Sequence, residues 1–311
     1  MPELHVFTEP QDGASYQQLS EVARATEACG FAGFFRSDHY LTIHRSDGFP
    51  GPTDAWVTLA GLALETERIR LGTLMTSATF RLPGPLAISV AQVDQMSRGR
   101  VDFGLGAGWY EAEHAAYGIP FPSISERFDR LAEQLEVITG LWAAPEGSSF
   151  SYAGRFYQVA DSPALPKPWQ RPGPPVLVGG TGKRRTPELA ARFATEFNVP
   201  FVSVGDADSS FDLVREACRS QGRDPGSMRL SVALTVCCGR DRAEVSRRAR
   251  EVGQDLERLA VVGAAGSPGQ VSERIEAYAR LGCQRVYLQL LDLADLDHLE
   301  LLASEVLPAF T

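Results

Sequence analysis

The 311-residue sequence predicts an α/β protein that folds as one closed (β/α)8 barrel. Short apolar runs alternate with amphipathic stretches along the whole chain, and this alternation indicates a parallel sheet with helical crossovers. There are eight such pairs, which in a chain of roughly 250 to 310 residues fit a closed barrel better than an open sheet. No segment rich in Gly, Ser and Pro separates two regions of different composition, so we expect a single domain over residues 1–311.

Apolar runs of about four to eight residues bounded by Gly, Pro, Asp or Asn predict the strands. In chain order they are His5–Thr8, Gly33–Arg36, Arg70–Thr76, Val101–Leu105, Pro175–Val178, Phe197–Val202, Leu230–Cys237 and Arg285–Leu290. Apolar residues spaced three and four apart predict the helices. These are Ser15–Cys29, Thr53–Thr66, Pro85–Arg98, Ser125–Trp142, Pro187–Ala194, Ser210–Gln221, Asp241–Leu259, Pro268–Leu281 and Leu296–Val306. In the fifth unit Thr186 is expected to cap a helix whose first turn contains Pro187.

One long irregular segment, Ala143–Pro174, interrupts the alternation between the fourth helix and the fifth strand. It is rich in Gly, Pro and Ser and contains an expected hairpin around Phe150–Val159. Long insertions inside a compact domain are usually functional. We therefore expect this insertion to form part of a lid or rim at the carboxyl-terminal face of the barrel.

Composition excludes several classes of function. The net charge of −9 argues against nucleic acid or an anionic membrane as the main partner. The five cysteines include no CxxC pair, which is typical of reduced thiols in a cytoplasmic protein. The first residues do not resemble a signal peptide, and no run of about 18 apolar residues exists to span a membrane. No cluster of His, Cys or carboxylates has metal-ligand spacing.

The fourth strand ends in a series of glycines, Gly104, Gly106 and Gly108, followed by Trp109 and Tyr110. Glycine has no Cβ, so a planar ligand can approach the backbone closely where glycines end a strand. The series is not a dinucleotide fingerprint, because GxGxxG would require glycine where Trp109 stands. The pattern predicts a surface on which a flat cofactor lies.

A second glycine-rich turn, Gly179-Gly180-Thr181-Gly182, follows the fifth strand and precedes a helix. It is not a P-loop, because GxxxxGK[ST] would require glycine at Leu177 and Ser or Thr at Arg184. Amides at a helix N-terminus bind phosphate, and Lys183, Arg184 and Arg185 stand nearby. The turn is therefore a candidate phosphate site, with a tight turn beside a solvated basic cluster as the alternative.

Active sites of such barrels lie where the strands end. His39 follows the second strand and is the best candidate for proton transfer, and Glu9 after the first strand is a second one. Asp38 is a candidate to fix the tautomer of His39 or to hold an edge of the cofactor. The alternative is a helix-capping Asp beside a surface His. The remaining histidines are interpreted as structural or exposed; they are His5, His44, His114 and His298.

Taken together, six segments resemble the luciferase-like monooxygenase superfamily, in particular its branch that uses the deazaflavin coenzyme F420. They are RSDH at 36–39, RIRLGTLMTSATFRLPGPLA at 68–87, GRVDFGLGAGWYEAEHAAYGIPFPSISERFDRLAEQLEVITGLW at 99–142, LPKPWQRPGPPVLVGGTG at 165–182, EFNVPF at 196–201 and VYLQLLDL at 286–293. They occur in order over nearly the full length of the chain.

The resemblance implies that a deazaflavin ring lies over a backbone bulge after the third strand, with a non-prolyl cis peptide at Leu74–Met75. It also implies a catalytic role for His39 and a homodimer. Where the related sugar-phosphate dehydrogenase has a glutamate as proton donor, this chain has Trp109, so a different substrate is expected. The ring and ribityl contacts that the resemblance implies are Asp38, Leu74, Met75, Thr76, Gly106, Gly108 and Trp109, and the phosphate contacts are Gly179, Gly180 and Thr181.

The sequence thus predicts an F420-dependent oxidoreductase that transfers a hydride between the deazaflavin and a small organic substrate. A monooxygenase that uses reduced flavin mononucleotide (FMN) and O2 is the alternative, since it would share the fold and the phosphate site. A barrel that binds the cofactor without catalysis is a third possibility.

Overall fold

A computed structural model describes residues 1–43 and 47–311 of the chain. Eight parallel strands close into a barrel in the order β1, β2, β3, β5, β8, β9, β10, β12 and back to β1. The strands are β1 (Glu3–Thr8), β2 (Gly33–Arg36), β3 (Arg70–Thr73), β4 (Thr76–Ser77), β5 (Val101–Gly106), β6 (Phe150–Ala153), β7 (Gln158–Ser162), β8 (Val176–Gly179), β9 (Glu196–Pro200), β10 (Arg229–Cys238), β11 (Ala264–Gly266) and β12 (Arg285–Leu290). The predicted (β/α)8 fold is confirmed.

Helices follow the strands and surround the barrel. They are α1 (Tyr16–Ala28), α2 (Ala55–Glu65), α3 (Pro83–Met96), α4 (Glu111–Ala116), α5 (Ile124–Ala143), α6 (Arg185–Phe193), α7 (Val204–Ser220), α8 (Arg242–Glu251), α9 (Leu256–Val262), α10 (Pro268–Ala279) and α11 (Leu296–Glu305). The short helices α4 and α9 are additions at the carboxyl-terminal face. None of the described helices is both long enough and apolar enough to cross a membrane.

Four predictions differ from the structure. The helix predicted over Ser210–Gln221 begins six residues earlier, at Val204, as α7. The third predicted strand is divided into β3 and β4, and β4 pairs with β5 rather than continuing the β2–β3 ladder. The predicted helix Asp241–Leu259 is two helices, α8 and α9. Helix α6 begins at Arg185, so Thr186 lies inside its first turn and is not its cap.

The amino-terminal half of the barrel interior is filled by a buried ionic cluster. Arg285 Nη1 lies 3.0 Å from Asp102 Oδ2 and 2.8 Å from Glu196 Oε2. The Tyr287 hydroxyl donates to Glu196 Oε1 at 2.7 Å. Each of these side chains is at most 2% exposed. Arg285 bridges the two carboxylates, and Arg70 also pairs with Asp102, so the cost of burying these charges is offset. This end of the barrel is closed.

The insertion Ala143–Pro174 does not form a lid. Its β6–β7 hairpin packs along α5, where the Glu133 carboxylate accepts hydrogen bonds from three backbone N–H groups of the hairpin turn, those of residues 155 to 157. Further along, Gln170 Nε2 donates to the carbonyl oxygen of Val101, at the first residue of β5. A segment that follows a helix starts at the amino-terminal end of the barrel, opposite the carboxyl ends of the strands. The expectation of a lid or rim there is therefore wrong for this segment.

Candidate active site

A cavity of about 820 Å³ opens at the carboxyl ends of the barrel strands. Residues at or just beyond the ends of all eight barrel strands line it, together with side chains of α4, α5, α6 and α9. Residues 143–174, all of which are described, contribute nothing to its wall. Eleven of the twelve residues predicted for the site line this cavity: Glu9, His39, Leu74, Met75, Thr76, Gly106, Gly108, Trp109, Gly179, Gly180 and Thr181.

One side of the cavity, formed by the ends of β3, β4, β5 and β8, is lined by Gly106, Gly108, Gly179 and Gly180 beside residues 74–77. The peptide bond between Leu74 and Met75 is cis. A Cβ placed on Gly104 would lie 2.9 Å from Met75 Cβ, one on Gly106 would lie 3.2 Å from Met75 Sδ, and one on Gly179 would lie 2.9 Å from Met75 Cε. The glycines thus make room for the Met75 side chain. The prediction from the sequence was that they make room for the ligand. We call residues 74–76 with Gly106 and Gly179 the bare wall.

The turn after β8 fits a phosphate group. Gly180 has φ +131°, and a Cβ there would find only one atom within 4 Å, a Thr186 methyl at 3.9 Å. The first turn of α6 has no side-chain cap, so its N–H groups are available to a ligand from the side of Thr181. The basic cluster is largely engaged elsewhere, because Arg184 pairs with a glutamate of its own helix and Arg185 pairs with an aspartate of α5.

On the opposite side, His39 is held by a carboxylate that sequence reasoning missed. His39 Nδ1 lies 2.9 and 3.0 Å from the two carboxylate oxygens of Glu113, which is 1% exposed. One of these oxygens also accepts the backbone N–H of Tyr40 at 3.0 Å. Within residues 1–43 and 47–311, Nε2 of His39 has no hydrogen-bond partner, although the side chain lines the cavity. Glu113 therefore fixes the orientation of the ring and leaves Nε2 for a ligand.

The electrostatic surroundings favour the protonated form of His39. Burial alone would lower its pKa, but the hydrogen bond to Glu113 and the negative charges of Glu9, Glu113 and Asp38 outweigh it, so the pKa is raised above the ordinary value. A histidine in this position can hold and release a proton near neutral pH.

Asp38 is the one predicted site residue that does not line the cavity. Its side chain is fully buried, and both carboxylate oxygens are paired with the guanidinium of Arg81. Arg81 also reaches Asp54 and the hydroxyl of Tyr40. A carboxylate held in this way has no free edge for a cofactor, so the structure assigns Asp38 to anchoring the segment that carries His39.

Glu9 lines the cavity on the side of β1. Its Oε2 accepts from Gln11 Nε2 at 2.7 Å, and its Oε1 accepts from Gln289 Nε2 at 2.9 Å. Gln11 and Gln289 are buried, at 1% and 2% exposure. The carboxylate is thus oriented by one buried amide on each side.

Two aromatic residues form the rim near His39. Trp109 is 61% exposed and stacks on Tyr110, with ring centroids 5.1 Å apart and planes at 18°. The Tyr110 hydroxyl donates to the carbonyl oxygen of Thr42 at 2.9 Å. His39 meets both rings edge-on. Trp109 is therefore placed to close one side of the cavity mouth.

The other histidines differ from His39 in their surroundings. His5, His114 and His298 are buried, and each has a hydrogen-bond partner inside the protein. None of these three lines the cavity. His44 lies outside the described residues. In the parts of the chain that are described, no group of three or more His, Cys, Asp or Glu residues is arranged to hold a metal ion.

Relatives of the chain use either deazaflavin or flavin. It is 33% identical over 217 residues to an uncharacterised protein of Mycobacterium tuberculosis, covering 65% of this chain and 74% of that protein. It is 36% identical over 179 residues to an F420-dependent glucose-6-phosphate dehydrogenase of Microbacterium testaceum, covering 57% and 50% of the two chains. An FMNH2-dependent dimethylsulfone monooxygenase of Pseudomonas putida is 31% identical over 146 residues, covering 45% and 39%.

The fold also matches solved structures. An F420-dependent secondary alcohol dehydrogenase in complex with an F420-acetone adduct superposes with a TM-score of 0.87 over the whole of both chains, at 18% identity. The family model for luciferase-like monooxygenases matches residues 3–254. The chain therefore belongs to the luciferase-like monooxygenase family and is an oxidoreductase of that family.

Proposed function

We propose that the protein transfers a hydride between coenzyme F420 and a small organic substrate, with His39 as the acid or base that moves the accompanying proton. The observation that carries this proposal is the arrangement of His39, whose Nδ1 is fixed by a buried carboxylate while Nε2 is left without a protein partner in a cavity it lines. The similarity to F420-dependent dehydrogenases supports the choice of cofactor.

The residues present fit a deazaflavin on two independent observations. The bare wall includes two glycines, so main chain lines the cavity there beside the side chains of residues 74–76, and the uncapped N-terminus of α6 offers N–H groups to a phosphate. Leu74, Met75, Thr76 and Gly106 would contact the ring, and Gly179, Gly180 and Thr181 would hold the phosphate side. When bound, the deazaflavin accepts or donates the hydride, and the proton is left to the protein.

The chain supplies the proton transfer and the exclusion of water. In substrate oxidation, neutral His39 accepts the hydroxyl proton at Nε2 while Glu113 accepts the hydrogen bond from Nδ1–H. In the reverse direction the imidazolium returns that proton to the developing alkoxide. The carboxylate of Glu113 stabilises the imidazolium in both cases, which is how a buried acid usually assists a catalytic histidine. Trp109 and Tyr110 limit access of water at the mouth.

An FMN-dependent monooxygenase is the second candidate. The bare wall suits a flavin ring as well as a deazaflavin ring, and a relative of this chain is FMNH2-dependent. The two candidates differ in reaction, because reduced flavin reacts with O2 and reduced deazaflavin reacts poorly with it.

The decisive test is a titration of cofactor-free protein with F420 and, separately, with FMN, followed by fluorescence. We expect micromolar binding of F420, and binding of FMN alone would refute the proposal. His39→Ala should lower kcat by about 100-fold or more, the usual contribution of a positioned acid or base, and leave F420 affinity nearly unchanged. Glu111→Gln, an exposed neighbour on α4, is the control and should change neither quantity.

The same proposal includes a homodimer and a location in the cytoplasm. Helices α2 and α3 pack on each other and expose large apolar side chains: Val57 and Leu64 are 74% and 70% exposed, and Leu82 and Ile88 are 64% and 47% exposed. Exposed apolar patches of this kind usually mark interfaces. We propose that a second copy of the chain covers this face. Sedimentation velocity of the purified protein should then give the mass of a dimer.

A further inference from the structure

Four polar side chains line the cavity from strands that do not belong to the bare wall. The barrel order places β10, β12, β1 and β2 next to one another, and the bare wall belongs to β3, β4, β5 and β8. Glu9, His39, Thr235 and Gln289 all line the cavity from the first set of strands. If the ring lies on the bare wall, these groups face the substrate.

Glu9 is the centre of a hydrogen-bonded chain that crosses these four strands. The Ser37 hydroxyl donates to Gln11 Oε1 at 2.6 Å, and the Thr235 hydroxyl donates to Gln289 Oε1. Both amide oxygens thus accept from a hydroxyl, and both amide nitrogens donate to the Glu9 carboxylate, at 2.7 and 2.9 Å. Each oxygen of Glu9 accepts one of these bonds and retains a second lone pair. The carboxylate therefore presents acceptors, and only acceptors, to the cavity.

The Glu9 carboxylate interacts with the charge of His39 but forms no direct ion pair with a described residue. In the described parts of the chain, no Lys, Arg or His nitrogen lies within ion-pair distance of it. Glu9 and Glu113 both act on His39 through their charge, so the neighbourhood of His39 contains two carboxylates. The amides of Gln11 and Gln289 occupy one acceptor site on each oxygen of Glu9, and the remaining acceptor sites lose their hydrogen bonds to water when a ligand displaces it. These sites therefore point to a hydrogen-bond donor supplied by the ligand.

We propose that Glu9 binds a hydrogen-bond donor of the substrate, an O–H or an N–H⁺ group other than the hydroxyl that His39 deprotonates. The inference rests on the proposed function for its placement of the cofactor. It assigns the substrate class as diols or amino alcohols and the carbonyl compounds formed by oxidation of the reacting hydroxyl. It also excludes a carboxylate or phosphate at that position, because an anion there would face Glu9 and Glu113. Glu9 is thus a specificity-determining residue rather than a second acid or base.

The test uses four probes of one shape: cyclohexanol, trans-1,2-cyclohexanediol, trans-2-aminocyclohexanol and 2-hydroxycyclohexanecarboxylate. Their binding to the full chain is measured by saturation-transfer NMR. Because a hydrogen bond to a charged acceptor contributes more than a neutral one, the diol and the amino alcohol should bind about tenfold or more tighter than cyclohexanol. The hydroxy acid should bind weakest. The order of the diol and the amino alcohol tells the two donor types apart.

Glu9→Gln should reduce the preference for the diol and the amino alcohol to about threefold or less, and Glu111→Gln should leave it intact. Thr235→Val, which frees Gln289 to rotate, should give an intermediate loss. Equal binding of cyclohexanol and the diol, a preference unchanged in Glu9→Gln, or no binding of any probe would each overturn the inference. F420 titrations of the same samples report on the proposed function separately, because Glu9→Gln should retain F420 affinity whichever way the probes behave.

Discussion

Replacing Glu113 with Gln tests the proton-transfer role of His39 most sharply. The variant keeps the size of the side chain but removes the charge that faces Nδ1 at 2.9 and 3.0 Å. It also allows an amide nitrogen to donate to Nδ1, which would leave the proton on Nε2 and favour the unproductive tautomer. Hydrogen bonds to charged groups contribute about 1.5–3 kcal/mol. If that stabilisation is realised on the imidazolium in the transition state, kcat falls by about 10- to 100-fold.

The sign of the pH effect follows from the same contact. The pKa of His39 is raised, so in the direction of substrate reduction activity should fall as the pH rises through it. Without the charge of Glu113 the pKa is lower, and the fall should begin at lower pH. The readouts are the pH profile of kcat and an NMR titration of the His39 ring, which does not depend on turnover, with Glu111→Gln as the control. An unchanged NMR titration in the variant would refute the role assigned to Glu113.

Three further predictions concern the wall, the barrel interior and the exposed helix face. Gly179→Ala places a Cβ 2.4 Å from a backbone oxygen of β9; F420 affinity measured by titration should drop at least about tenfold, and unchanged affinity would contradict the wall geometry. Arg285→Met removes the cation that bridges Asp102 and Glu196, leaves Asp102 with Arg70, and should lower the free energy of unfolding in urea by about 3–5 kcal/mol, whereas a loss below about 1 kcal/mol would argue against the cluster. Leu64→Glu should convert a dimer to a monomer in sedimentation velocity, and an unchanged sedimentation coefficient would exclude this face.

The barrel could be predicted from the sequence because its signal is local and repeated. Each strand is a short apolar run bounded by Gly, Pro, Asp or Asn. Each crossover helix has apolar residues spaced three and four apart. The wrong prediction of Thr186 as the cap of α6 also came from a local pattern. Thr186 followed by Pro187 is typical of a helix start, but the helix begins at Arg185 without a side-chain cap. The location of the insertion was missed for a topological reason: a segment between a helix and the next strand leaves from the amino-terminal end of the barrel.

The site was predicted in part. The predicted residues at the carboxyl ends of strands lie close together because all eight parallel strands of the barrel end at the same face. The side-chain pairs that orient His39 and Asp38 join residues that are distant in the chain. Glu113 is 74 positions from His39, and Arg81 is 43 positions from Asp38. No local pattern reveals such contacts. One local signal for a carboxylate near His39 was present, because Glu113 lies in the short helix directly after the glycine series. The resemblance pointed to Trp109 instead, which stands where the sugar-phosphate dehydrogenase has its glutamate.

The central claim is that a flat tricyclic cofactor lies against the main chain at residues 74–76. A crystal of the protein soaked with F420 tests it directly. Electron density for the ring should lie against this bulge, with the phosphate at the turn formed by Gly180 and Thr181 and His39 on the opposite side. A ring bound elsewhere, or a cavity mouth without density at a saturating concentration of F420, would contradict it.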